Sequence, residues 1–167
     1  MAWLLGDVFL VFGDTNYFLI GLASFFMGHI AYSSVISQKI VYANNLLIPF
    51  IITVTAFITV GITLFIFFQP KLGNMLIPVV FYLGVLLLIT CLSVLLLISK
   101  PSTKHILLLI GSVLFFFSDT ILAYGKFIGP VKNEHVMIML TYAIAQFLIV
   151  ISLSDINLLN LFKLGTK

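Results

Sequence analysis

Two carboxylates stand out because of where they lie. Asp7 sits inside an apolar run from about Ala2 to Gly13, and Asp119 inside another from about His105 to Lys126. A carboxylate in the middle of a membrane helix costs ~3 kcal/mol or more, so such residues face the bundle interior and mark function. Each aspartate comes about six or seven residues before its run ends, and alternation of neighbouring helices makes the two runs parallel. At 1.5 Å per residue both carboxylates fall ~10 Å below the same membrane face, where they can share one cavity. Their settings echo each other: Gly6-Asp7-Val8-Phe9-Leu10 and Ser118-Asp119-Thr120-Ile121-Leu122 are both small-Asp-x-x-Leu. Asp14 and Asp155 fall at segment ends, where a solvated carboxylate needs no special role.

Further polar groups repeat at helical spacing. His29 and Tyr32 form an i,i+3 pair on one face, with Gly21 and Gly28 allowing close helix approach. Tyr142 and Gln146 form an i,i+4 pair beside Ala143 and Ala145. A mid-membrane imidazole beside carboxylates moves protons near neutral pH, so the set points to acid/base catalysis or a proton relay. Two aspartates and one histidine can also hold a metal, but no pair has the spacing of a metalloprotease helix, and His105 and His135 sit at membrane edges. Neither a glycine-rich phosphate loop nor a GxSxG elbow occurs. No metal or cofactor is expected.

These residues need elements to hold them, and composition says which. The 167 residues are 62% hydrophobic and 8% charged, with a mean hydropathy of +1.29. That excludes a water-soluble globule. Further apolar runs cover about Tyr17–Ser37, Leu46–Phe68, Met75–Ser99 and His135–Leu153, punctuated at Gly13-Asp14-Thr15-Asn16, Asn44-Asn45, Gln69-Pro70-Lys71, Lys100-Pro101-Ser102 and Gly129-Pro130. Runs of this length without inside/outside alternation predict helices, not a barrel. The fold class expected is all-α: one polytopic transmembrane bundle over residues 1–167 with about six segments. The first is short, since a dozen residues reach only ~18 Å.

The basic residues are all lysine. They lie between the apolar runs, as membrane-edge anchors rather than a nucleic-acid surface. Alternation puts Lys39, Lys100, Lys104, Lys163 and Lys167 on the side of the N-terminus, and Lys71, Lys126 and Lys132 on the other. The excess of lysine then predicts cytoplasmic termini. The start lacks a basic signal region, so the first apolar run is read as mature protein.

With these positions in place, the sequence resembles the YhhN family of lysoplasmalogenase-like membrane proteins along almost its whole length. The resemblance rests on Gly6-Asp7-x-x-Leu10, Phe18, Gly21, Phe25 and His29-x-x-Tyr32. It continues through Gly111, Phe115, Ser118-Asp119-x-x-Leu122-Ala123 and Tyr142-x-x-Ala145-Gln146. Family members begin with about two further helices, including a Lys-Pro near the N-terminus. Here Met1 falls six residues before Asp7, so an N-terminally truncated member is expected.

The resemblance implies hydrolysis of the vinyl ether bond of a lysoplasmalogen, a lipid substrate taken from the bilayer; the heavy use of Ile, Phe, Asn and Lys points to a bacterium and its inner membrane, with an organellar membrane as the alternative. Asp7 and Asp119 would be the acid/base pair, with His29 placing water or shuttling protons. Tyr32, Ser118, Tyr142 and Gln146 would line the substrate site. Two other classes compete. A proton-coupled transporter predicts substrate flux without aldehyde release, and a membrane scaffold predicts aspartates that serve stability alone.

Overall fold

In a computed structural model the described residues are 15–41 and 46–154, with side chains described from residue 17. They form α1 (Thr15–Lys39), α2 (Leu47–Leu72), a 3-10 turn (Gly73–Met75), α3 (Leu76–Ser99), α4 (Thr103–Phe127) and α5 (Glu134–Leu153). No strand occurs among the described residues. The predicted first segment, with Asp7, lies outside them, as do Lys163 and Lys167. Among the described residues four continuous stretches are long and apolar enough to cross a membrane, which leaves the expected count of about six segments unconfirmed.

One of those four stretches, Leu47–Ser99, is 53 residues long and folds back on itself. The reversal falls at Gly73, whose φ of +49° is open to glycine and strained for most other residues. The break predicted at Gln69-Pro70-Lys71 thus comes later, and α2 runs on through Pro70 to Leu72. Proline here removes a single hydrogen bond in the final turn, and the chain turns back only at Gly73. The hairpin closes tightly: a Cβ placed on Gly61 would lie 2.7 Å from Leu87 Cδ1.

The other ends follow local chemistry. Ser102 caps α4 by accepting from the His105 N–H at 3.2 Å, which satisfies one of the orphan donors of a helix start. Asn133 enters α5 in the left-handed region, which asparagine tolerates. Glu134 follows in the first turn, where its negative charge suits the helix dipole, and accepts from the Val131 N–H at 3.1 Å. At the opposite end Lys39 Nζ donates to Leu153 O at 3.1 Å and Lys104 Nζ to Ser154 O at 3.0 Å. Both ammonium groups meet carbonyls that α5 leaves free. These contacts put Lys39 and Lys104 on one membrane face, while Lys126, lying 5.2 Å from the Phe18 ring centroid, marks the other.

α3 packs against α1, α2 and α4, and α4 packs most extensively on α5. The interior is closed by Ile36, Ile89, Leu96, Leu108, Phe115 and Ile149, all fully buried. Outward, Ile48, Ile52, Ile66, Ile77, Phe81 and Phe147 are largely exposed. An apolar surface of this extent belongs in lipid, not water. The hydroxyls follow the same logic: Thr59, Thr63, Thr90, Ser93, Ser112 and Thr120 each donate to the carbonyl four residues back. Ser93 and Ser112 also meet across α3 and α4 at 2.8 Å, a short polar tie between two apolar helices.

Candidate functional site

Asp119 lies on the fifth turn of α4, eight residues before the helix ends at Phe127. That is ~12 Å below the face marked by Lys126. Its carboxyl borders a narrow cleft of about 50 Å³ between the α2–α3 hairpin and α4, whose other walls include Leu64, Phe68, Val79, Leu83 and Leu86. The cleft is almost wholly apolar, and the carboxyl is the one acidic group on its walls. One partner holds it: Tyr82 Oη donates to Asp119 Oδ2 at 2.5 Å.

Sequence reasoning missed Tyr82. It is the single tyrosine of α3, six residues past the helix start, which places it at nearly the depth of Asp119. That match in depth is the signal that could have found it. The ring is buried and also borders a second cleft of about 320 Å³ between α1 and α3, beside Leu22, Phe26 and Pro78. Tyr82 therefore stands as a wall between two clefts.

His29 comes next inward. It is fully buried on α1, with its ring 4.4 Å from that of Phe115 in an edge-on arrangement and 5.9 Å from that of Tyr82. The imidazole thus packs on the ring of Tyr82, whose hydroxyl is bonded to Asp119. Phe115 is one turn before Asp119 on α4 and anchors an aromatic cluster. Tyr142 lies 5.5 Å from it and Phe25 6.3 Å, and Phe25 and Tyr142 are 5.8 Å apart. Three helices meet at these rings.

Tyr32 and Gln146, each predicted as one of a pair on its own helix, prove to be partners. Tyr32 Oη donates to Gln146 Oε1 at 3.0 Å, tying α1 to α5 one turn from the aromatic cluster. Among the described residues the buried Gln146 Nε2 and the Ser33 hydroxyl have no hydrogen-bond partner, leaving polar capacity for water or a polar ligand group.

Ser118 sits apart from this set. It is fully buried, and its hydroxyl donates to Ile138 O across the α4–α5 contact at 3.1 Å. Its geometry is that of an interhelical tie. Ser118→Ala is expected to lower stability by ~0.6–1.5 kcal/mol, the range of such bonds in membranes, with the kinetics of the site unchanged. Detergent unfolding beside turnover checks this; a drop in turnover without loss of stability would contradict it.

Of the predicted site, then, the structure brings together Asp119, His29 and Tyr142 around Tyr82 and Phe115, with Tyr32 and Gln146 one turn further. Asp7 lies outside the described residues. Among those residues no group of three histidine, cysteine or carboxylate side chains is placed to hold a metal.

Membrane-length helices with an apolar exterior, enclosing a carboxyl, a phenol and an imidazole, define an integral membrane protein with a polar centre inside its bundle. The model of the YhhN family matches residues 1–153, and the chain belongs to that family. No curated protein and no solved structure matches it.

Proposed function

We propose that this protein is a membrane-embedded hydrolase of bacterial inner membranes that cleaves the vinyl ether bond of lysoplasmalogen-type lysolipids. The products are a fatty aldehyde and a glycerophospho-alcohol. The observation that carries this reading is Asp119 opening on an apolar cleft at membrane depth, with Tyr82 on its Oδ2. A single-chain lipid keeps its headgroup at the Lys126 face while its chain runs deeper, which brings the first bonds of the chain level with that carboxyl.

The chemistry needs two carboxyls in different states. One gives its proton to the β-carbon of the vinyl ether, leaving an oxocarbenium ion. The second, ionised, steadies that cation and takes a proton from the water that attacks it, as carboxyl pairs do in glycoside hydrolysis. The resulting hemiacetal returns its hydroxyl proton to the first carboxylate, the second carboxyl protonates the leaving alcohol oxygen, and the C–O bond breaks. Both groups are then reset. Asp119 is one of the two, and the family resemblance makes Asp7 the other. His29, and the pair Tyr32–Gln146 with its unspent donor, supply polar positions for water. Tyr142 walls the site.

A transporter reading draws no support from the helices. Among the described residues the one turn inside a long apolar stretch is at Gly73–Met75, at the membrane face marked by Lys126 rather than at midplane, where transporters break theirs. The deciding experiment is aldehyde release from a vinyl-ether lysolipid by purified protein in detergent. The saturated ether analogue, which cannot form the cation, serves as control. Flux into proteoliposomes without aldehyde would sink the proposal.

A further inference from the structure

The Tyr82 hydroxyl takes up one oxygen of the Asp119 carboxyl and leaves the other to the cleft. Four observations meet at this residue. The phenol donates to Asp119 Oδ2 at 2.5 Å. The ring is buried at 7% exposure, so the hydroxyl is not competed for by bulk water. Its far side rests on the His29 ring at 5.9 Å. Its edges border both clefts.

We propose that Tyr82 is a positioning residue for Asp119: it fixes Oδ2 as a hydrogen-bond acceptor and makes Oδ1 the oxygen that gives its proton to substrate. This rests on the hydrolase reading above and adds to it which aspartate is the acid. The reasoning is geometric first. An Oδ2 that already accepts a hydrogen bond cannot carry the acid proton in that direction, so the proton of the neutral carboxyl lies on Oδ1. That oxygen is the one left to the cleft.

Energetics follow from the geometry. As Oδ1–H breaks and the new C–H bond forms at the β-carbon, Asp119 becomes a carboxylate. A hydrogen bond to a charged acceptor is roughly twice as strong as one to a neutral acceptor. The Tyr82 bond therefore strengthens along the reaction, and only interactions that strengthen toward the transition state accelerate chemistry. Because the phenol is in place beforehand, little reorganisation accompanies the charge. The Tyr82 hydroxyl is spent on Oδ2 and acts on the reaction through Asp119.

Tyr82→Phe is the variant of choice, since it keeps the ring against His29 and removes one oxygen atom. In the full chain in detergent, kcat for aldehyde release is expected to fall on the order of 10- to 100-fold, somewhat less than loss of an oxyanion-hole donor. KM should stay within about twofold, because ground-state binding is untouched. A purely structural tyrosine would instead lower the unfolding midpoint and leave kcat per folded molecule unchanged, and that result would overturn the proposal. A second readout needs no turnover. The infrared carboxyl band of Asp119, identified by its loss in Asp119→Asn, should shift in Tyr82→Phe. An unshifted band would also overturn the proposal. Should the wild-type chain release no aldehyde, the hydrolase reading fails on its own, and the band still decides whether Tyr82 sets the state of Asp119.

Discussion

Asp119→Asn is expected to reduce aldehyde release by two to four orders of magnitude, with the protein still folded. The size of the loss is that of removing a general acid, which contributes ~10²–10⁴-fold. An amide cannot give up a proton to carbon, yet its oxygen can still accept from the Tyr82 hydroxyl, so the contact between α3 and α4 is kept. Charge is the other difference: the amide has none, and its burial carries no risk of an unpaired ion in hydrocarbon. Stability is therefore expected to hold or rise slightly while activity disappears. That opposition separates a catalytic carboxyl from a helix-gluing one, for which stability would fall and turnover per folded molecule would not. Initial rates beside unfolding midpoints, at a single pH and detergent, are enough to decide. Full activity in Asp119→Asn would end the acid/base account, and so would full activity in Asp7→Asn for the second carboxyl.

The second large effect is on stability. Gly111 lies where α4 and α5 cross, and a Cβ there would sit 3.0 Å from Ala145 O, from Ile149 Cγ1 and from Leu148 Cβ. Two of these three can yield a little by side-chain or local adjustment, but Ala145 O is backbone. Relief requires the helices to part, and α4–α5 is the most extensive helix contact among the described residues. Gly111→Val is therefore expected to destabilise by ~1–3 kcal/mol, the usual cost of overpacking a close-packed interior. The comparison that makes this informative is Gly84, on α3, where an added Cβ meets nothing within 4 Å. Gly84→Ala should stabilise by ~0.5–1 kcal/mol, because alanine is the better helix former. Denaturation of both variants in mixed micelles tests the pair. Equal effects at the two positions would show that packing at Gly111 does not limit stability.

Much of the architecture is legible along the chain because the forces behind it act locally. In hydrocarbon every backbone polar group must be satisfied within its own helix, so hydropathy alone predicts α1 and α3 to α5 to within a few residues. The cap at Ser102 and the charge of Glu134 are equally local. Where a prediction missed, at Pro70, two local signals compete. Proline weakens the last turn of α2, but the reversal comes three residues on, where Gly73 takes up a positive φ.

The site divides in the same way. A rare polar residue inside an apolar run announces itself, which is why Asp119, His29, Tyr32, Tyr142 and Gln146 could be named from residue type and spacing. Their pairing could not. Tyr32 and Gln146 are 114 residues apart in sequence and 3.0 Å apart in space, and no periodicity relates one helix to another. Ser118 shows the converse: adjacent to Asp119 in the motif, it points 100° around the helix and is spent on Ile138 O.

The carboxyl on which this reading began is the clearest case. Sequence by itself determined that Asp119 lies at membrane depth and inside the bundle, because a charged group there is too costly to face lipid. What it touches was settled by the tertiary structure. Tyr82, 37 residues away on α3, reaches it only because the turn at Gly73 and the packing of α3 on α4 bring two depths into register. Burial is a property of one helix in its solvent, and partnership is a property of two.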